Sequence, residues 1–205
     1  PDSPEHYVNV AKRIAAETPN SFRIDQYDNP KNPEAHYVST APEIWQQTLG
    51  KIDIFIASGS TGGTVSGIGR FLKEKNPAIK VVMPDPIGSI YFEYFKTGKI
   101  SKEGNCNYLI EGVGEDHIAK ALDFSVLDEI VPFNDKDAFI TARHLAKEEG
   151  LLVGGSSGAN VWVALKIASE LTEPTTIVTV LPDSGIKYLS KIYNDDWMQE
   201  NNLLS

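Results

Sequence analysis

The sequence predicts an α/β fold in which a largely parallel sheet is covered by helices on both faces. Two observations lead there. Short apolar runs rich in β-branched residues alternate with amphipathic stretches almost throughout the chain, the pattern of strands joined by crossover helices. The runs at 52–57, 151–153 and 175–181 each end in a loop of Gly, Ser, Thr or Asp, and parallel sheets hold their ligands outside the carboxyl ends of such strands.

Taken in order, Asp2-Ser3-Pro4-Glu5 supplies a capping side chain, a proline for a first turn and an early carboxylate. A helix is expected there, with Val8, Ala11, Ile14 and Ala15 as its apolar stripe and Pro19-Asn20 as its stop. Phe22 to Ile24 reads as a short strand, and Asp25-Gln26-Tyr27-Asp28-Asn29-Pro30 as a loop whose polar density turn chemistry alone explains. A helix begins at Asn32-Pro33 and continues, or restarts, from Ala41-Pro42 to a stop at Gly50. Ile52 to Ala57 is apolar apart from Asp53 and reads as a buried strand; the helix after it carries Ile68, Phe71 and Leu72 and ends at Asn76-Pro77. Lys80 to Met83 is the next strand, and the aromatic cluster Tyr91, Phe92, Tyr94 and Phe95 reads as packing.

In the second half, Glu111 to Asp116 is a glycine loop between an apolar Tyr108-Leu109-Ile110 and a helical Ile118 to Leu122. Glu129 to Phe133 is a strand; Asn134 caps a helix that runs to Glu149, with Gly150 as its C-terminal signal. A short strand, Leu151 to Val153, leads into Gly154 to Asn160, which repeats the strand–loop–helix logic of the first glycine turn. Thr175 to Leu181 is a β-branched strand ending in Pro182-Asp183-Ser184-Gly185, and Ile186 to Tyr193 reads as a terminal helix.

With 205 residues and 41% hydrophobic content, the chain can bury one sizeable core, or one large and one small lobe. A net charge of -9 with no basic run argues against nucleic acid or an anionic membrane as partner. One cysteine, Cys106, excludes an internal disulfide framework and a Cys-based zinc site, and is compatible with a cytoplasmic setting. His6, His36, His117 and His144 are too scattered for a metal site by spacing, so no metal is expected. No apolar run approaches transmembrane length and no signal-peptide pattern is visible. Because residue 1 is proline, the chain is expected to begin inside a larger protein.

Chemistry concentrates in Ser58 to Gly67, between the Ile52–Ala57 strand and its helix. At such a turn, unpaired N–H groups and the positive end of the helix dipole converge on one small space. Gly62 and Gly63 allow close approach, and Thr61 and Thr64 offer hydroxyls, so a phosphate is the natural guest. No Gly-Lys-Ser/Thr follows, which excludes a Walker loop, and Gly62-x-x-x-x-Gly67 is a poor dinucleotide fingerprint. A monophosphate belonging to a cofactor suits this turn best; a tight turn without a ligand is the alternative.

Several segments occur in one order along nearly the whole chain: Asp25-Gln26-Tyr27 with Asn32-Pro33 and Ala35-His36-Tyr37, Thr61-Gly62-Gly63-Thr64, Asp85-Pro86-x-Gly88-Ser89, Glu111-Gly112-Val113-Gly114, Gly154-Gly155-Ser156-Ser157-Gly158 and Leu181-Pro182-Asp183-Ser184. With them the chain resembles the fold type II pyridoxal-phosphate enzymes, and within these the cystathionine β-synthase and cysteine synthase family. The resemblance implies that residues 1–36 are the remainder of a small lobe and 37–205 most of the large cofactor-binding lobe, incomplete at the N-terminus. It implies that Ser60, Thr61, Gly62, Gly63 and Thr64 hold the cofactor's phosphate, that Ser156 bonds the pyridine nitrogen, and that Pro182 and Asp183 flank the ring. Gln26, Tyr27, Gly112, Gly114 and Glu115 would lie by the amino-acid substrate.

The implied reaction is transsulfuration: serine, or an activated serine, loses its β-substituent and homocysteine takes its place to give cystathionine. Cysteine synthesis from O-acetylserine and sulfide is the alternative. A non-catalytic phosphate-binding fragment is a further one, because the family's Schiff-base lysine and its Ser/Thr-Gly-Asn loop have no match in the chain. No catalytic residue is therefore assigned; Lys102 and Lys187 are superficial candidates only. A homodimer in the cytoplasm is what the family suggests. Two positions depart from the family pattern, Ser60 where glycine is common and Glu115 where some relatives carry tyrosine. A positive φ at Ser60 would be strained; without one, its hydroxyl becomes an extra donor.

Overall fold

The structure is a computed structural model and describes residues 3–100 and 107–204. Asp2, Lys102 and Cys106, named above, lie outside the described residues. Four strands form one parallel sheet: β1 (Ile54–Ile56), β2 (Lys80–Pro86), β3 (Glu129–Phe133) and β4 (Ile177–Thr179), in the spatial order β3-β2-β1-β4. The helices are α1 (Tyr7–Glu17), α2 (Lys31–Ala35), α3 (Ala41–Gln47), α4 (Gly63–Lys75), α5 (Tyr91–Thr97), α6 (Asp135–Glu148), α7 (Gly155–Ala168) and α8 (Asp195–Glu200).

Strand periodicity sorts the core into two layers. Phe55, Val81, Met83 and Ile130 point to one face, where Val65, Ile68 and Leu72 of α4 and Tyr91 of α5 meet them. Ile54, Ile56, Val82 and Val131 point to the other, where Val163 of α7 covers them. Both faces are thus buried, which is why the strands read as continuous apolar runs. Glycine sets how closely helices approach: a Cβ on Gly158 would lie 2.0 Å from the Ala138 carbonyl oxygen of α6.

Several local expectations are corrected. Phe22 to Ile24 is not a strand; Phe22 is 82% and Ile24 70% exposed, and no neighbouring strand takes their backbone groups among the described residues. Leu151 to Val153 gives only an isolated bridge, Val153 to Ser184. Ile118 to Leu122 is a set of turns, because Ala121 N–H donates to the Tyr27 carbonyl 3.0 Å away instead of back along a helix. Ile186 to Tyr193 reduces to a 3-10 turn at Gly185–Tyr188 followed by turns, and the terminal helix is α8, capped by Asn194. Between α2 and α3 the chain does continue, through one π-helical stretch, His36–Thr40.

Candidate active site

The site is built at the carboxyl edge of the sheet. After β1 the chain passes through Ala57 to Ser60 and turns at Gly62, whose φ of +74° is the left-handed value that a side chain resists. A Cβ there would also sit 2.5 Å from Leu122 Cδ1. α4 starts at Gly63 with its N-terminus aimed at the space above the sheet. The N–H groups of Thr61, Gly62, Gly63 and Thr64 find no acceptor among the described residues. Four donors in one turn, at the positive end of a thirteen-residue helix, fit an anion.

Two neighbours orient the threonines. Asn32 Nδ2 donates to Thr61 Oγ1 at 3.0 Å and to the Gln26 carbonyl at 2.8 Å, so Thr61 keeps its own proton to give. His36 Nε2 lies 3.1 Å from Thr64 Oγ1, with Thr40 Oγ1 at 3.1 Å from Nδ1. Burial lowers the His36 pKa, favouring the neutral imidazole.

The opposite wall comes from the first turn of α7 and the segment after β4. Asn160 is fully buried; its Oδ1 accepts from Ser58 N–H at 2.8 Å and its Nδ2 donates to the Val180 carbonyl at 2.8 Å. One side chain thus pins the ends of β1 and β4 together. Ser156 lines the opening, and Asp183 accepts from the Tyr188 hydroxyl at 2.9 Å through Oδ2 while its Oδ1 is buried without a partner among the described residues. Lys187 is 3.7 Å from Asp183 but its side chain is 70% exposed, so it is a solvated surface cation.

Between these walls lies a cleft of about 550 Å³. Of the residues singled out in the sequence, Ser60, Thr61, Gly62, Gly63, Thr64, Ser156, Pro182, Asp183, Gln26, Tyr27 and Gly112 line it. Gly114 and Glu115 stand behind the lining: Gly114 N–H donates to the Gly59 carbonyl at 2.8 Å, and Glu115 Oε1 accepts from Ser60 Oγ at 2.5 Å and from Tyr27 OH at 3.0 Å. Ser60 is not among the described residues with positive φ, so its backbone is unstrained and its hydroxyl goes to Glu115. Burial, the Tyr7 hydroxyl at 2.9 Å and the Glu115 charge raise the Tyr27 pKa well above the usual phenol range, which keeps it a neutral donor. The Glu115, Asp116 and His117 ligand atoms do lie within 4.8 Å of one another, a grouping that spacing of the histidines alone did not show. Among the described residues no lysine lines the cleft, and its one arginine, Arg23, is paired with Asp25.

The family model for pyridoxal-phosphate dependent enzymes matches residues 1–183. The chain belongs to that family. Its parallel sheet with helices on both faces is the fold type II architecture, and the family's cofactor fits what the cleft offers. The unpaired donors of the first turn suit a phosphate without any cation, and the neutral Ser156 hydroxyl faces the same opening from the other wall. Among curated proteins, the chain is 47% identical over 203 residues to cystathionine beta-synthase of Rattus norvegicus, covering 99% of this chain and 36% of that protein. It is 41% identical over 211 residues to cystathionine beta-synthase of Saccharomyces cerevisiae, covering 98% and 41%. With cysteine synthase 2 of Schizosaccharomyces pombe it shares 34% over 221 residues, covering 98% and 55%. The chain therefore spans between about a third and just over half the length of these relatives.

Asn32, His36 and Asn160 are side chains bonded into the site, and the sequence reading assigned them no role. Asn32 and His36 sit four residues apart, one helical turn, and both reach the same loop. That spacing was the available signal. Nothing local marks Asn160, whose partners are 102 and 20 residues away.

Proposed function

We propose that this chain forms most of the cofactor-binding lobe of an enzyme that replaces the β-substituent of serine, or of an activated serine, with homocysteine to give cystathionine. The observation that carries the reading is the donor-rich turn at Thr61–Thr64 facing Ser156 across one cleft, in a chain 47% identical to a cystathionine beta-synthase. When bound, pyridoxal phosphate supplies the electron sink that acidifies the substrate α-proton and lets the β-substituent leave.

The residues of this chain then have the following tasks. The N–H groups of Thr61 to Thr64 and the Thr61 hydroxyl hold the phosphate. The Ser156 hydroxyl would meet the ring nitrogen without supplying a negative charge, which does not favour a protonated nitrogen and would keep the sink moderate. Such a setting suits elimination and replacement. Gln26 and Tyr27, on the wall next to Thr61, orient the amino-acid substrate. Gly112 has φ +76° and open space around the site of a Cβ, so the segment from Glu111 can move over a bound substrate. Residues 1–36 are read as belonging to a smaller lobe; none of the α1 residues is buried.

The test is the full-length product of the gene, assayed with serine plus homocysteine and, separately, with O-acetylserine plus sulfide. Cystathionine formation at the higher kcat/KM supports the proposal. A reversed preference supports cysteine synthesis, the reading favoured by the 34% identity to a cysteine synthase. No β-replacement with either pair, in a folded protein that binds the cofactor, sinks both.

A further inference from the structure

We propose that Glu115 is a positioning residue that withdraws the Ser60 hydroxyl from the anion site, so that the first turn grips phosphate without it. The inference rests on the phosphate reading of the Thr61–Thr64 turn.

Ser60 lines the cleft, at the lip of the donor-rich turn. A hydroxyl carries one proton, and that of Ser60 goes to Glu115 Oε1 across 2.5 Å, the length of a charge-assisted bond. The same oxygen accepts from Tyr27 OH at 3.0 Å, while His117 Nδ1 lies 3.5 Å from Oε2. Only 13% of the Glu115 side chain is exposed, so solvent competes weakly for it.

Further bonds fix the backbone of both partners. The Ser60 carbonyl accepts from Tyr91 OH at 2.6 Å. Glu115 N–H donates to Ser89 Oγ at 3.2 Å, and its carbonyl accepts from Ile90 N–H at 3.0 Å. Gly114 N–H on Gly59 oxygen, at 2.8 Å, fastens the two glycine loops beside them. The two positions that depart from the family pattern, Ser60 and Glu115, are thus bonded to each other across 55 residues of sequence. The pairing has two consequences for an anion in the turn. It loses one donor, and it faces a carboxylate held just behind the lining, which repels it.

The experiment is titration of inorganic phosphate into the full-length protein stripped of cofactor, followed by calorimetry. Ser60→Ala in the wild-type background should change the dissociation constant by less than about twofold, since its hydroxyl makes no bond to the anion. Glu115→Ala should tighten phosphate roughly tenfold, by freeing a donor and removing a charge. Adding Ser60→Ala to it should give back about threefold or more, the donor's share. Glu115→Gln, which keeps an acceptor for Ser60, should fall between wild type and Glu115→Ala and serves if the alanine variant fails to fold. A merely structural Glu115 would instead weaken phosphate when replaced. Ser60→Ala that weakens phosphate tenfold on its own, or has the same effect in both backgrounds, overturns the proposal. Wild-type protein that binds no phosphate overturns the anion-site reading itself, a result distinct from either.

Discussion

In the turn after β1, Gly62 has φ +74° and the N–H groups of Thr61 to Thr64 find no acceptor among the described residues. In the turn that opens α7, Gly154 has an extended φ of -78°, and the glycines that follow are pressed against neighbours: Gly155 against Phe139, Gly158 against the Ala138 carbonyl. The two turns share a vocabulary of Gly, Ser and small residues. In the first, glycine bends the backbone at a turn whose unpaired donors line the cleft. In the second, glycine lets a helix dock on α6, and side chains do the remaining work through Ser156 and Asn160. Small residues at a strand-to-helix turn therefore carry two distinct physical meanings, and only contact geometry separates them.

Asn160 joins the turns, so its loss is the largest break. Asn160→Ala leaves the Ser58 N–H and the Val180 carbonyl, on half-buried residues lining the cleft, without their partner and removes the packing of a buried side chain. The expected loss is about 4 kcal/mol of unfolding free energy, from two orphaned groups at roughly 1–3 kcal/mol each plus the lost packing. Urea denaturation measures it. A loss under about 1 kcal/mol would mean that water replaces the side chain and that the strand ends are held by other contacts.

Gly158→Ala sharpens the contrast by acting on one turn alone. The added methyl would meet backbone on α6 at 2.0 Å, where no flexible side chain can yield. About 3 kcal/mol of destabilisation follows from overpacking of this kind, with phosphate affinity of the folded protein unchanged. An equal loss of phosphate affinity would show that the second turn shapes the anion site as well.

These two residues also mark where the sequence stopped speaking. The strands were legible because burial on both faces makes Ile54–Ile56 and Val81 to Pro84 apolar in unbroken runs. The first turn was legible because glycines and hydroxyls stand together between a strand and a helix, where N–H groups are left unpaired. Phe22 to Ile24 had the composition of a strand and lacks a strand to pair with among the described residues. Ile186 to Tyr193 had helical residues, yet Tyr188 OH is tied to Asp183 and Tyr193 OH donates to the Val153 carbonyl, so tertiary bonds fix the turns that replace the helix. Asn160 acts across 102 and 20 residues, where no local pattern carries information, whereas the one-turn spacing of Asn32 and His36 was the local signal for partners 29 and 28 residues away.

A pH titration probes the first turn from behind. Asp85, at the end of β2, is fully buried; Phe92 N–H donates to its Oδ2 at 2.9 Å, while Oδ1 has no partner among the described residues. Burial raises its pKa to about 6, against the lowering effect of bonds from Ser89 and Phe92 N–H. The Ser89 hydroxyl oxygen in turn accepts from Glu115 N–H. A carboxyl with a raised pKa favours folding while it is protonated, so its contribution is full below about pH 4 and is lost as pH rises through about 6. The shift corresponds to roughly 3 kcal/mol, an order of magnitude that ionisation-linked relaxation reduces. The difference in unfolding free energy between wild type and Asp85→Asn should therefore fall by about 2 kcal/mol from pH 4 to pH 7. Parallel stability curves would mean that Asp85 is ionised at both ends and that its orphaned oxygen is solvated.

Ser156→Ala is the mildest change and separates ligand chemistry from folding. The residue is 9% exposed and lines the cleft, and its hydroxyl has no partner among the described residues. Removing it should shift stability by less than about 0.5 kcal/mol. If the hydroxyl meets the ring nitrogen, the absorption maximum of the bound cofactor should move while inorganic phosphate binds as before, because the donors for phosphate belong to the other turn. A change in phosphate affinity with an unmoved spectrum would reverse the assignment of the two walls. Phosphate would then have to reach α7, and the unpaired N–H groups of Thr61 to Thr64 would need another guest.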